Sequence, residues 1–167
     1  QAQFLWAILR DSFHYAAVHL AEVAESARDI DFAMRWGFGA SQGPFELWQA
    51  AGWTQVAQWV KEDIDAGKAL SAAPLPAWVF EGAVANNGGP HRPEGSWSAA
   101  HARFVAPSTL PVYQRQAFRE SVLGADAPVP LKSGTEVWKN DEVRVWSNDG
   151  EVLIASITAK LHLISPA

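Results

Sequence analysis

Apolar positions recur at helical spacing over the first third of this chain and lose that order afterwards. From Phe4 to Glu25 the residues Leu5, Ile8, Leu9, Ala16, Leu20 and Val23 fall on one stripe, while Arg10, Asp11, His14, Glu22 and Glu25 fall largely elsewhere. The pattern predicts a scaffold helix about 30 Å long at 1.5 Å per residue. Ser26 followed three residues on by Asp29 reads as a capping box, so a second helix is expected there, with Ile30, Ala33 and Met34 as its apolar face. Gly37 is expected to end it in the left-handed conformation.

Gly43-Pro44 opens a third helix, with Pro at the first helical position, Glu46 near the positive helix end, and Phe45 and Trp48 one turn apart. Gly52 is expected to stop it. Thr54 then caps a fourth helix with Val56, Val60 and Ile64 inward, ending at Gly67. Four helices with short connections make an all-α unit over residues 1–70.

Nine of the ten prolines lie beyond residue 73, and Asn86-Asn87-Gly88-Gly89-Pro90 is a strong turn signal. Residues 71–131 therefore read as a Pro/Gly-rich connector with local packing. Short extended pieces are expected around Trp97–Val105 and Val112–Phe118. Trp78, Phe80, Trp97, Phe104, Tyr113 and Phe118 are expected to anchor the connector on the helices. Residues 132–167 read as β: Thr135–Lys139, Val143–Trp146 and Val152–Leu163, separated by Asn140-Asp141 and Asn148-Asp149-Gly150. Val152-Leu153-Ile154-Ala155 is apolar on both faces, as in a strand meant for burial. An exposed edge there would invite pairing with another copy, so a homo-oligomer through the β tail is expected. The fold class is α+β overall, mainly α at its start.

Composition narrows the chemistry. A formal charge of −5 over 167 residues argues against a nucleic-acid partner. No apolar run reaches the roughly 18 to 20 residues of a membrane helix, so no membrane partner is expected. The absence of cysteine removes disulfides, thiolate nucleophiles and cysteine metal sites, in keeping with a cytoplasmic setting. A helix-forming start at Gln1 and a stop just after an apolar segment read as the ends of a fragment.

Each candidate site meets a plainer reading. Gly37-Phe38-Gly39-Ala40-Ser41-Gln42-Gly43 has the glycines of a dinucleotide loop at the wrong spacing and after a helix rather than a strand. It reads instead as one helix end meeting the next helix start. His14, His19 and Glu22 share one helix, but histidines at i and i+5 do not share a face, so no metal site is expected. No G-x-S-x-G elbow occurs, and His91 and His101, near Glu94 and Ser96, read as polar residues of a loop. Trp36, Trp48, Trp53 and Trp59 read as core and interface mass, whereas Trp138 and Trp146 on neighbouring strands would form a sugar platform only if both were exposed.

The run Asp29-Ile30-Asp31-Phe32-Ala33-Met34-Arg35-Trp36-Gly37-Phe38-Gly39, followed by Gln42-Gly43-Pro44-Phe45-Glu46-Leu47, resembles the C-terminal helical domain of 3-hydroxyacyl-CoA dehydrogenases. Gln42 stands where that family often has Met. The resemblance covers roughly residues 4–70, and residues 136–164 more weakly resemble the opening strands of an enoyl-CoA hydratase (crotonase) domain. That order implies the second helical copy in a bifunctional dehydrogenase/hydratase protein of fatty-acid β-oxidation.

The resemblance also implies what stands outside this sequence. The family's catalytic His–Glu pair and its NAD-binding loop belong to a Rossmann domain, the substrate-facing Asn-Arg motif is not found, and the hydratase's acidic residues would follow Ala167. No catalytic, cofactor-binding or metal residue carries over; what does is a structural motif of Gly37, Gly39, Gly43, Pro44, Phe45 and Glu46. The implied partners are the Rossmann domain, the first helical copy and acyl-CoA. The implied cofactor is NAD, held by the parent enzyme and not by this chain. The isolated chain is expected to be inactive, forming a helical wall or interface of the acyl-CoA site, and the rival reading is a non-catalytic assembly module.

Overall fold

A computed structural model describes residues 1–116, 119, 121–122 and 133–162. The chain divides into two compact units, Gln1–Ser108 and Thr109–Ala167. The order of helices first and antiparallel strands last is the α+β arrangement expected from the sequence.

The first unit is built on three helices, α1 (Ala2–Val23), α2 (Ala27–Phe38) and α3 (Pro44–Asp65). Between α1 and α2 the predicted cap forms: the Asp29 carboxylate accepts the Ser26 backbone N–H at 2.9 Å and its hydroxyl at 2.9 Å. The third and fourth predicted helices are one run interrupted at Gly52, whose backbone (φ 102, ψ 90) leaves the helix and re-enters it. Only glycine reaches that conformation without strain, so Gly52 kinks the element rather than ending it. Gly39, not Gly37, is the left-handed terminator of α2, with φ 68. Gly37 sits inside the helix.

The core gathers Phe13, Ala16, Ala17 and Leu20 of α1, Ala27 of α2, and Phe45, Trp48, Trp53, Val56, Ala57 and Val60 of α3. This corrects the predicted stripe of α1. Ala16 and Leu20 are buried, but Leu5, Ile8, Leu9 and Val23 are 57, 50, 36 and 59 % exposed. The helix is apolar on more than one side, and the side chosen is the one whose small residues, Ala16 and Ala17, let α3 approach. Arg10 and His14 are buried on that same side because each has partners. Arg10 bonds Asp11 at 2.9 Å and Asp63 at 3.2 Å, and the His14 ring meets the Ala73 carbonyl at 2.7 Å.

Residues 77–105 are folded against this core. A 3-10 turn at Ala77–Val79, a short helix α4 (Gly82–Asn87) and a meander of β1 (His91–Arg92), β2 (Gly95–Ser98) and β3 (Arg103–Val105) follow one another. Aromatic rings join them to the helices in a continuous series. Phe13 stacks on Trp48 (5.4 Å), Trp48 on Trp53 (4.1 Å), Trp53 on Trp78 (6.1 Å), Trp78 meets Trp97 (6.1 Å) and Trp97 meets Phe104 (5.6 Å). Trp78, Trp97 and Phe104 are thus the anchors expected of them. Phe80 and Tyr113 are 40 and 37 % exposed, and Phe118 lies outside the described residues.

In the second unit Pro111–Gln114 is helical (α5) where an extended piece was predicted, because Pro111 at the first helical position presets the helical φ. Strands β4 (Thr135–Lys139), β5 (Val143–Ser147) and β6 (Ile154–Ile157) form an antiparallel sheet in that order. Val152 and Leu153 precede β6 and are 60 and 63 % exposed, so the predicted buried strand is shorter than its apolar run. Leu163 lies outside the described residues.

Candidate functional site

The α2–α3 joint is assembled around Asp31, which is wholly buried. After Gly39 turns the chain, Gly43 brings it back against α2, so closely that a Cβ on Gly43 would stand 2.2 Å from the Asp31 Cα. Pro44 opens α3, and the next two amides point at the Asp31 carboxylate. Phe45 N–H donates to Oδ1 at 2.9 Å and Glu46 N–H to Oδ2 at 3.2 Å. A carboxylate from one helix thereby caps the positive end of the next. Glu46 closes the turn from the other side: its Oε2 accepts the Gly43 N–H at 2.9 Å and its Oε1 accepts Arg35 Nη1 at 3.3 Å. Both acids are satisfied by donors rather than left as bare buried charges.

His91 completes the joint from the meander. Its Nε2 lies 2.6 Å from Asp31 Oδ2 and its Nδ1 lies 2.9 Å from Ser96 Oγ, with the His91 and Asp31 side chains fully enclosed. Asp31 Oδ2 already accepts the Glu46 amide, so Nε2 is the donor to it, and in the neutral imidazole Nδ1 then accepts the Ser96 hydroxyl. The backbone of His91 is held as firmly. Gln49 of α3 accepts its N–H at 2.9 Å and donates to its carbonyl at 3.0 Å, and Asn87 Nδ2 donates to the same carbonyl at 2.8 Å. Burial pushes the Asp31 carboxyl above its ordinary range, against the lowering influence of His91 and the Phe45 amide. Serine, histidine and aspartate here form a closed structural relay; with Ser96 2 % exposed, no substrate reaches the hydroxyl.

On the other face of α2 lies a groove of about 790 Å³ between α1, α2 and the start of α3. Leu9, Phe13, Ile30, Met34, Pro44 and Leu47 supply apolar walls, and Tyr15, His19, Glu25, Asp29 and Gln42 supply polar groups. Its volume is that of a small-molecule site. All three residues of the predicted apolar face of α2 line this groove; Ile30 also packs against the core, while Met34 is 38 % exposed.

Of the motif residues, Phe45 and Glu46 are buried, Gly43 and Pro44 shape both the joint and the groove, and Gly37 has open space around it. His19 pairs with Glu22 at 3.1 Å while His14 faces the Ala73 carbonyl. Among the described residues no three histidines or acids gather as metal ligands, and no helix is long and apolar enough to cross a membrane. Trp146 is buried and Trp138 is 53 % exposed, so the paired sugar platform is not formed. Sequence reasoning missed the roles of Asp31, Gln49 and His91. Asp31 and His91 are 60 residues apart, and no spacing rule joins them.

Forty per cent identity over 76 residues relates the chain to a probable 3-hydroxyacyl-CoA dehydrogenase of Bacillus subtilis (strain 168). The alignment takes in 39 % of this chain and 10 % of that relative, so the chain spans about a tenth of the relative's length. No protein-family model matches the sequence, and no solved structure matches it. The similarity supports the dehydrogenase resemblance read from the Asp29–Leu47 motif and a related function.

Proposed function

We propose that this chain is the helical portion of a 3-hydroxyacyl-CoA dehydrogenase of β-oxidation and that its groove walls the acyl part of the acyl-CoA site. The observation that carries this is the groove itself. The two helices of the family-like motif contribute Ile30, Ala33, Met34, Pro44 and Leu47 to its lining, and its volume of about 790 Å³ suits an acyl chain. Glu25 and Asp29 at the polar part of the lining disfavour phosphates, so the CoA head group would lie on other parts of the enzyme. In the same proposal this is the second helical copy of a bifunctional enzyme, and strands β4–β6 open its hydratase domain. NAD would bind a Rossmann domain outside this sequence and supply the hydride chemistry there; this chain's part is to bind and orient.

Calorimetry with octanoyl-CoA, against CoA alone, tests the reading. Heat with octanoyl-CoA and none with CoA supports it, and loss of that heat on Ala33→Trp, which fills the groove, places the binding. Silence with octanoyl-CoA contradicts it. The isolated chain is also expected to give no turnover of acetoacetyl-CoA with NADH above background.

A second reading, an assembly module, is favoured by the exposed apolar residues Phe4, Leu5 and Ile8 of α1 together with Trp36 and Phe38 of α2. It predicts calorimetric silence with CoA esters and burial of those side chains by another protein domain.

A further inference from the structure

We propose that His91 is a latch through which the β1–β2 meander sets the position of the first turn of α3, and with it the mouth of the groove, whatever occupies that groove. Asp31 is the shared part. Its Oδ1 accepts the Phe45 amide at 2.9 Å, and its Oδ2 is shared between the Glu46 amide at 3.2 Å and His91 Nε2 at 2.6 Å. The carboxylate cannot move to follow the meander without uncapping α3. Nor can α3 shift alone, because Gln49 on the same helix exchanges two hydrogen bonds with the His91 backbone at 2.9 and 3.0 Å. Gly89 leaves no slack in that clasp, since a Cβ there would meet the Gln49 side chain at 2.3 Å.

The latch lies directly behind the groove. Gly43 touches Asp31 on one side, and Gly43, Pro44 and Leu47 line the groove on the other. Met34, one turn beyond Asp31 on α2, lines it too and is the only methionine of the chain. Displacing the meander would withdraw the His91 donor, free the carboxylate to turn toward other donors, and loosen the helix start that forms the groove's rim. His91 is therefore a positioning residue for the groove, acting through Asp31. Ser96 holds the imidazole in the tautomer that donates to Asp31.

The full chain, labelled at the Met34 methyl and at backbone amides, provides the test by NMR. In His91→Leu the Phe45 and Glu46 amides are expected to exchange about tenfold or more faster, the effect of losing a charge-assisted hydrogen bond behind them. The Met34 methyl resonance is expected to move with them. His91→Gln, whose side-chain amide can replace the Nε2–H donor, is expected to restore both most of the way. A folded His91→Leu with wild-type exchange and an unmoved Met34 signal overturns the proposal, as does a His91→Gln chain no nearer wild type than His91→Leu. Should His91→Leu fail to fold, Ser96→Ala decides. Faster exchange at the two amides, with a shifted Nδ1 resonance of His91, supports the latch, and an unchanged spectrum refutes it.

Discussion

Gly43 and Asp31 are in such close apposition that a methyl group on the glycine would stand 2.2 Å from the aspartate's Cα and 2.2 Å from its Oδ1. The contact is backbone against backbone, so no rotamer change relieves it. Gly43 is thus required for proximity and not for unusual dihedrals, its φ being −79. Gly43→Ala is expected to destabilise the first unit by about 1–3 kcal/mol or more, as overpacking of a close-packed joint does. Urea denaturation checks it; a midpoint unchanged from wild type would show that α2 and α3 separate at no cost.

Trp48 and Trp53 stack at 4.1 Å, and the Trp48 indole N–H donates to the Trp53 carbonyl at 3.0 Å across the Gly52 kink. That bond ties the two halves of α3 together across the break, so the pair braces the kink as well as the core. Trp48→Ala is expected to cost about 3–5 kcal/mol, the range for emptying a large aromatic site. It should also abolish the near-ultraviolet circular dichroism contributed by the stacked pair.

Acid should weaken the first unit through a specific network. The Arg10 guanidinium holds Asp11 below the usual carboxylate range, and the Trp6 indole N–H, then Arg10 and Lys68, do the same for Asp63. A depressed folded-state pKa gives stability that is present above the unfolded value of about 3.9 and is lost as pH falls through the lower folded value. Asp31 acts in the opposite sense. Its pKa is raised by burial, so its contribution is full below about 3.9 and is lost as pH rises through the folded value. Arg10→Ala should flatten the acid limb of stability below about pH 4, measured by thermal melting against pH; an unchanged limb would remove this network as its source.

In the second unit, Trp146 is buried and its indole donates to Ser156 Oγ at 2.9 Å, while Trp138 stands exposed. Trp146→Ala is expected to cost about 3–5 kcal/mol and Trp138→Ala to stay within about 0.5 kcal/mol, as a surface change does. Equal losses at both positions would mean that the exposed ring is covered by a partner in solution.

How far the sequence revealed this molecule differed between elements. Local signals were decisive where one short-range cause dominates: the Ser26–Asp29 cap, the Pro44 start of α3, and the strands around Asn140-Asp141 all stand where the residues put them. Periodicity failed on α1 because its apolar residues cover more than one side, so the buried face was decided by the partner's shape and not by the helix itself. In the long proline-rich stretch the extended piece expected around Trp97–Val105 stands as β2 and β3, but the way it packs was not legible because its stability comes from distant rings, Trp53 against Trp78 and Trp78 against Trp97, which no local window contains. The joint was visible as a motif, but its buried acid acquired a meaning only when His91 arrived from 60 residues away.

The most direct measurement of the proposed role is a titration of octanoyl-CoA into the Met34-labelled chain, followed at the one methionine methyl group, which lines the groove. Saturable movement of that resonance, absent with CoA alone and abolished by Ala33→Trp, is the predicted result. A Met34 signal that stays in place while octanoyl-CoA is added to excess would contradict the acyl-wall reading.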